Sequence, residues 1–196
     1  MTFDAIVLAG GRASRMGGID KTLLQIGGTT LLEMAIGSAA GARQLVVVGP
    51  DTLPVPPPAR RVQEDPPFGG PAAAIAAGLN VLRHNGDPAP WTLVLAADQP
   101  AVTDLVAALF GAPGHPAAEI SAGVDVLMAV DPAGRRQPLA ALYATGPLLA
   151  AVDRAEKLTG MAVHRLIAQL SVLEIPHTAA GDVDTWADAT RWGVQR

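Results

Sequence analysis

Runs of apolar, often β-branched residues alternate along this chain with stretches that have helical patterns. Such runs are typical of strands that are buried on both faces of a sheet. The alternation predicts an α/β fold, a three-layer sandwich with a mostly parallel central sheet and helices on both faces. The predicted strands cover residues 3–9, 44–49, 91–97, 124–130, 139–143 and 172–175.

Capping signals place the predicted helices between these strands. Thr30, with Glu33 three residues later, forms a capping box that predicts a helix to about residue 40. Pro71 suits the first turn of a second helix, to residue 82, where its missing N–H needs no partner. Thr103 is the predicted cap of a third helix, to residue 110. Further helices are predicted at 147–157, 161–170 and 184–192, surface loops at 54–58 and 111–123, and a hairpin turn at 131–134.

Composition narrows the classes of protein that fit. The chain has 196 residues, 49% of them hydrophobic, which suits one domain over residues 1–196 with its own core. Cysteine is absent, which excludes disulfides, zinc–thiolate sites and cysteine nucleophiles and fits a reducing interior. No targeting segment and no apolar stretch of about 20 residues is evident, so we expect a cytoplasmic protein with no membrane partner. A net charge of -4 offers no basic field for a nucleic-acid partner.

A glycine-bearing loop with nearby cations, residues 10–20, follows the first predicted strand. Glycines let the backbone approach a ligand and turn N–H groups toward it, and Arg12, Arg15 and Lys21 add positive charge. Open α/β sheets bind ligands outside the carboxyl ends of their strands, which is where this loop begins. The combination indicates a phosphate site, although composition alone fits a turn with solvated charges about as well.

Two familiar phosphate-binding loops do not match this segment. A P-loop has glycine directly before its lysine, whereas Asp20 precedes Lys21 here. A dinucleotide-binding fingerprint needs the spacing G-x-G-x-x-G, which residues 10–13 break.

The residues match a third pattern. The first loop, with Leu-Ala-Gly-Gly at 8–11, Arg-Met-Gly at 15–17 and Asp-Lys at 20–21, resembles that of the molybdenum cofactor guanylyltransferase (MobA-like) family. Four later segments resemble the same family in the same order: Gly-Gly-Pro-Ala-Ala at 69–73 with Asp65 upstream, Ala-Ala-Asp-Gln-Pro at 96–100, Arg-Gln-Pro-Leu-Ala at 136–140 and Asp-Val-Asp-Thr at 182–185. Order and spacing together are specific, and the resemblance covers most of the chain. It implies a Rossmann-like fold of the nucleotide-diphospho-sugar transferase type.

The resemblance also implies a reaction, in which GMP passes from GTP to the phosphate of molybdopterin, a pterin-phosphate acceptor, and pyrophosphate leaves. Such a phosphate is largely ionised at neutral pH, because its second pKa is near 6, so no general base is required. Arg15 and Lys21 would lie against the triphosphate, and Mg²⁺ on Asp98 would bridge phosphate oxygens. These three are the predicted catalytic residues. The implied protein partner is a molybdoenzyme or another protein of the cofactor pathway.

The predicted binding site extends beyond these residues. The resemblance implies that the carboxylate of Asp65 accepts from the guanine ring, with Glu64 as its competitor. Asp184 is the predicted second metal ligand, with Asp182 as the alternative, and Asp184 equally suits the N-cap of the last helix. Asp98 alone would also fit a strand-end aspartate that caps a turn. The predicted nucleotide-binding set is Leu8, Ala9, Gly10, Gly11, Lys21, Asp65, Gly70, Pro71 and Asp98.

Three alternatives stay open. Asp182 and Asp184 stand where the guanylyl enzymes have asparagines, and this form resembles the MocA-like cytidylyltransferases, which use CTP. The Gly10-Gly11 pair and the Gly-Gly-Pro helix entry resemble the guanylyl branch instead. Other members of the superfamily load sugar phosphates or deazaflavin precursors. The non-enzymatic alternative is a GTP-binding protein that delivers the cofactor to a partner.

Overall fold

A seven-stranded sheet forms the middle layer of the computed structural model, which describes residues 1–10, 20–111, 123–177, 183 and 185–194. The strands are β1 (Phe3–Leu8), β2 (Gln25–Ile26), β3 (Thr29–Thr30), β4 (Leu45–Val48), β5 (Arg60–Val62), β6 (Trp91–Ala96), β7 (Val126–Val130), β8 (Arg136–Ala144) and β9 (Val172–Pro176). The helices are α1 (Leu31–Ser38), α2 (Pro71–His84), α3 (Val102–Phe110), α4 (Thr145–Arg154), α5 (Val163–Leu166) and α6 (Trp186–Arg191). A 3-10 helix spans Lys21–Leu23, and β2 and β3 form a separate small hairpin.

The strand order in the large sheet is β5-β4-β1-β6-β8-β7-β9. Strands β5, β4, β1 and β6 run parallel to one another, and β7 runs parallel to β9. Only β8 among the described strands of this sheet is antiparallel to its neighbours, β6 and β7. The predicted mostly parallel sheet is therefore confirmed. Its parallel half brings the carboxyl ends of β5, β4, β1 and β6 to one edge.

Both faces of the sheet are covered by helices, as the sequence predicts. Side chains of successive strand residues point to opposite faces, and Ile6 and Val7 of β1 show this division. Ile6 packs in a core with Ile75 of α2, whereas Val7 packs in a core with Leu32 of α1. Helix α4 contributes to the first core and α3 to the second.

Helix α2 crosses β1 in direct contact. A Cβ atom at Gly78 of α2 would lie 2.7 Å from Cγ2 of Ile6, closer than real Cβ contacts come. Glycine at this position therefore sets how near α2 can lie to the sheet. Among the described residues, no helix has the length and hydropathy that a membrane crossing requires.

Several local predictions are confirmed. Thr30 and Glu33 form the capping box of α1, and α2 begins at Pro71. The hairpin between β7 and β8 turns at Asp131, whose carboxylate accepts from the backbone N–H groups of Ala133 and Arg135. The bond from Arg135 is the main reason that the pKa of Asp131 lies below its ordinary value.

Other predictions are wrong or incomplete. The N-cap of α3 is Ala101, not Thr103, because the chain already turns where Val102 N–H donates to the carbonyl oxygen of Gln99. The hydroxyl of Thr103 lies 3.1 Å from that of Ser38 in α1. The N-cap of the last helix, α6, is Thr185 rather than Asp184, because the hydroxyl of Thr185 accepts from the backbone N–H of Asp188 in a capping box. Strand β5 and the β2–β3 hairpin were not predicted, and most of the predicted loop 111–123 lies outside the described residues.

Candidate functional site

The carboxyl end of β1 lies between the ends of β4 and β6. Ala9 N–H donates to Val48 at 2.8 Å, and Ala97 N–H donates to Leu8 at 2.9 Å. Leu8 and Ala9 are 8% and 3% exposed, so their side chains belong to the core. Gly10 is exposed directly after them. These predicted binding residues therefore present backbone, rather than side chains, at the sheet edge.

Gly49 makes the approach between β4 and β1 possible. A Cβ atom there would lie 2.6 Å from Cδ1 of Leu53 and 3.0 Å from the carbonyl oxygen of Ala9. A Cβ atom at Gly10 would lie 3.9 Å from the Cα atom of Gly49, so the two glycines are neighbours. This role of Gly49 was not predicted from the sequence. In the sequence, this role is indicated by a glycine that directly follows a predicted strand of β-branched residues.

Lys21 opens the 3-10 helix, and its position is fixed by the residues around it. The carboxylate of Asp20 accepts hydrogen bonds from the backbone N–H of Thr22 at 3.0 Å and from its hydroxyl at 2.7 Å. Thr22 and Leu24 are buried, which anchors the turn on the core. Lys21 itself is half-buried. The turn thus holds the base of this lysine firmly while part of its side chain reaches the surface.

Asp98 follows β6 and meets the C-terminal part of the chain. It is half-buried, and its carbonyl oxygen accepts a hydrogen bond from Val183 N–H at 3.0 Å. Val183 is fully buried and packs in a cluster with Leu24 and Leu31. Because Leu24 N–H donates to the carbonyl oxygen of Lys21, the same cluster supports the turn that carries this lysine. Three segments that are distant in sequence therefore meet at this edge.

Gln99 also belongs to this junction, although it was not among the predicted site residues. Its side chain is buried, with the residue 4% exposed. Its Oε1 atom has no hydrogen-bond partner within the described ranges. A buried acceptor without a partner costs free energy and calls for an explanation. The sequence carries an indication of this role: a polar residue stands next to Asp98 at the end of an apolar strand.

The segment between β5 and α2 leaves the same edge of the sheet. Gly49 N–H donates to Val62 at the end of β5, which places the start of this segment beside β4. Asp65 is exposed, whereas Glu64 is only 9% exposed. Gly70, with φ +89°, is the N-cap of α2 and supplies no capping side chain to the first helical N–H groups.

The entry to α2 is tightly constrained around Gly69. A Cβ atom at Gly69 would lie 2.9 Å from that of Ala73 and 3.2 Å from the carbonyl oxygen of Pro66. The carbonyl oxygen of Gly69 also accepts a hydrogen bond from Gly160 N–H at 2.7 Å. The loop between α4 and α5 therefore holds the helix entry from the other side.

Some predicted site residues cannot be placed with the rest. Gly11, Arg15 and Asp184 lie outside the described residues, as do Arg12 and Asp182. Within the described ranges, no three acidic or histidine side chains are grouped as a metal cage.

A cavity of about 390 Å³ lies near the amino-terminal end of β4, lined by residues that include Arg43, Gln44 and 56–60. None of the predicted site residues that the structure describes lines it.

Comparison with known proteins gives consistent matches. Residues 5–173 match the model of the MobA-like NTP transferase domain. A molybdenum cofactor guanylyltransferase of Rhodopseudomonas palustris (strain HaA2) is 36% identical over 151 residues, which are 72% of this chain and 65% of that protein. The match therefore spans less than two thirds of that relative's length.

Solved structures share the fold over nearly the whole chain. A homolog of Mycobacterium tuberculosis rv0371c from Mycobacterium sp. strain JC1 has a TM-score of 0.69 and 25% identity, covering 96% of this chain and 93% of its own. The 2-C-methyl-D-erythritol 4-phosphate cytidylyltransferase of Thermus thermophilus has a TM-score of 0.67 and 19% identity. This match covers 98% of the present chain and 97% of the cytidylyltransferase chain. At that identity, the second similarity concerns the fold alone.

Proposed function

Because this chain belongs to the MobA-like NTP transferase family, we propose that it transfers GMP from GTP to the phosphate of molybdopterin, with release of pyrophosphate. The observation that carries the proposal is the junction at the sheet edge. There, the hydrogen bond from Val183 to Asp98 joins the C-terminal segment to the end of β6, beside the turn of Lys21. The guanylyltransferase of R. palustris supports the choice of reaction.

The triphosphate would be held by local groups, since the chain has a net charge of -4 and offers no basic field. Exposed backbone at Gly10 can turn N–H groups toward phosphate oxygens, and Lys21 supplies a cation on an anchored turn. Arg15 and Gly11 complete the proposed set. The first turn of α2 adds N–H groups after Pro71, and its N-cap residue, Gly70, has no side chain to cap them.

Asp98 is suited to be a protein ligand of the Mg²⁺ ion in a Mg²⁺–triphosphate complex. Mg²⁺ is commonly held by one or two carboxylates together with phosphates and waters, so a cage of three protein carboxylates is not required. Asp98 supplies one carboxylate, and Asp184, next to Val183 in sequence, is the proposed second. When bound, the ion would neutralise developing charge on the phosphates and align them. The buried Oε1 of Gln99 would accept a hydrogen bond from a water of that hydrated ion.

The guanine base is proposed to contact the segment before α2. The exposed carboxylate of Asp65 can accept from the two adjacent N–H donors on the Watson–Crick edge of guanine. Glu64 is less suited, because it is buried and its Cγ lies 3.6 Å from where a Cβ atom of Gly69 would be. Cytosine does not present the same pair of donors, so Asp65 would favour GTP.

The chemical step depends more on alignment of the attacking and leaving groups than on acid–base catalysis. An ionised oxygen of the acceptor phosphate attacks the α-phosphorus of GTP, and the bond from that phosphorus to the oxygen bridging to the β-phosphate breaks. Pyrophosphate leaves with the electron pair of that bond. Lys21 would stabilise charge on the leaving group, and the backbone at the end of β1 would hold the triphosphate in line.

Two other functions compete with this one. A cytidylyltransferase is favoured by Asp182 and Asp184, and the fold does not separate the two, because the T. thermophilus cytidylyltransferase shares it. A GTP-binding delivery protein is the second competitor. Release of pyrophosphate from GTP by the purified protein, with Mg²⁺ and molybdopterin, supports transfer. GTP binding without release would support delivery instead. A cytoplasmic location and a molybdoenzyme partner belong to the same proposal.

A further inference from the structure

The cavity of about 390 Å³ at the amino-terminal end of β4 lies away from the nucleotide site proposed above. Its lining comes from the last turn of α1 and the residues after it, from the start of β4, and from the turn 56–60 that leads into β5. Because β4 runs parallel to β1, this end of β4 is opposite to the carboxyl end of β1. A strand rises about 3.3 Å per residue, which puts roughly 13 Å between Leu45 and Gly49. A ligand in the cavity and a nucleotide at the other end of the strands could therefore bind at the same time.

Small and stiff residues keep this cavity open. No atom outside its own stretch of α1 lies within 4 Å of where a Cβ atom of Gly37 would be, so the space beside this helix is unfilled. The alanines at 39, 40, 42 and 59 that also line the cavity are too short to close it. The prolines at 56–58 have a fixed φ and no N–H group. A cavity that already exists in the free protein needs little ordering when a ligand enters, and this one has the size of a small-molecule site.

The charge of the lining is positive, in a chain with 18 acidic and 14 basic residues. Arg43 and Arg60 line the cavity, and no acidic residue is part of the described lining. Nε and Nη2 of Arg43 donate to the carboxylate of Asp4 over 3.3 and 3.2 Å, so this cation is already paired. Arg60 is exposed, and its side chain has no hydrogen bond or ion pair within the described residues. Its guanidinium can therefore bind an acidic group of a ligand through two parallel hydrogen bonds.

We propose that this cavity binds a small organic acid, with its acidic group on the guanidinium of Arg60 and its apolar body between the end of α1 and the proline turn. Arg60 pairs with Val46 across β4 and β5, which fixes the base of its side chain beside the cavity floor. A neutral apolar molecule would leave the cation of Arg60 unused, whereas a polyphosphate would leave the apolar walls unused. The site is separate from the nucleotide site, and the inference does not depend on the proposed function.

Two fluorescent dyes test the proposal by titration of the purified full chain. Anilinonaphthalenesulfonate carries one acidic group, and N-phenylnaphthylamine has nearly the same apolar body without the charge. Arg60→Gln should weaken binding of the acidic dye about tenfold, the scale of a hydrogen bond between charged groups, and leave the neutral dye unchanged. Arg154→Gln is the matched control, because this exposed cation in the last turn of α4 does not line the cavity. It should change neither affinity.

Two filling variants test the cavity itself. Gly37→Leu and Ala40→Phe each add a large side chain to the lining, so both should weaken both dyes about tenfold. Gly37→Leu also removes a glycine from α1, so its melting temperature should not fall. GTP with Mg²⁺ should not displace the acidic dye.

Three results would overturn the proposal. The first is equal binding of the acidic dye by Arg60→Gln and the unaltered protein, and the second is an equal loss of both dyes in Arg60→Gln, because Arg60 would then not recognise the acid. The third is displacement of the dye by GTP or its full retention in both filling variants, which would place the dye outside the cavity. Absence of guanylyl transfer would overturn the proposed function and leave this site standing.

Discussion

The backbone N–H of Val183 donates a hydrogen bond to the carbonyl oxygen of Asp98 over 3.0 Å. Val183 is fully buried against Leu24, which follows the turn that carries Lys21. The bond and this packing together bring the C-terminal segment next to the residues that carry the proposed metal carboxylate and the proposed phosphate lysine. Lys21 and Asp98, the residues proposed for these roles, are only half-buried, so removing their side chains should affect chemistry far more than folding.

Lys21→Ala should lower turnover about 100-fold, which corresponds to about 2.7 kcal/mol of transition-state stabilisation. The melting temperature should change little, because Asp20 and Thr22 hold the turn through hydrogen bonds that do not involve the lysine side chain. Steady-state kinetics and thermal unfolding measure the two effects. Arg83→Ala is the matched control, since this exposed cation lies at the far end of α2 and should leave turnover unchanged. Normal turnover in folded Lys21→Ala would remove Lys21 from the triphosphate site.

Asp98→Asn should abolish most activity and leave the fold intact. Asparagine keeps the size of the side chain but removes the charge that would bind the metal, so raised Mg²⁺ or Mn²⁺ should restore part of the activity. Turnover is measured across a metal titration, with Asp104→Asn, an exposed carboxylate in the first turn of α3, as the control. A structural aspartate would behave differently: its replacement would lower the melting temperature, and no metal concentration would restore activity.

Gln99→Met should stabilise the ligand-free protein and impair the reaction. Methionine has a similar shape without a buried acceptor that lacks a partner, so the free energy of unfolding should rise by about 1 kcal/mol. The same change removes the proposed acceptor for a metal-bound water, so the Mg²⁺ concentration needed for half-maximal turnover should increase. Urea unfolding and metal titrations measure the two effects. Loss of stability would show that Oε1 has a structural partner, and the metal role would then be wrong.

The elements that the sequence predicted correctly depend on local signals. The capping box of Thr30 and Glu33 and the proline that starts α2 act within one helical turn, so neighbouring residues suffice to recognise them. Strand β5 was missed because Arg60 and Arg61 are exposed, and the strand exists through its pairing with β4. Thr103 has the chemistry of a cap, yet the turn at Gln99 starts α3 earlier.

The site residues divide in the same way: some are suggested by a local motif, and others depend on contacts between distant segments. The first loop and Asp98 are proposed as site residues from motifs alone, because phosphate chemistry limits the residue types that can serve. The bond between Val183 and Asp98 joins positions far apart in the chain, and no local pattern indicates it. The burial of Gln99 likewise depends on the completed fold.

Asp65→Ala should reduce the preference for GTP over CTP more than it slows the reaction with the poorer base. The alanine variant would lose the acceptor for the guanine N–H donors but would leave the phosphate groups untouched. The ratio of kcat/KM values for the two nucleotides measures this effect. Glu64→Gln is the informative comparison, since Glu64 is the buried neighbour. A larger change of the ratio in Glu64→Gln would transfer the base contact to Glu64.

The most direct test compares GTP and CTP side by side in the unaltered protein, with Mg²⁺ and molybdopterin as the acceptor. Pyrophosphate release gives kcat/KM for each nucleotide, and mass spectrometry identifies the pterin dinucleotide that forms. We expect GTP to exceed CTP by about tenfold or more, which needs only about 1.4 kcal/mol of discrimination. Equal or better use of CTP would contradict guanylyl transfer and place the chain with the cytidylyl enzymes.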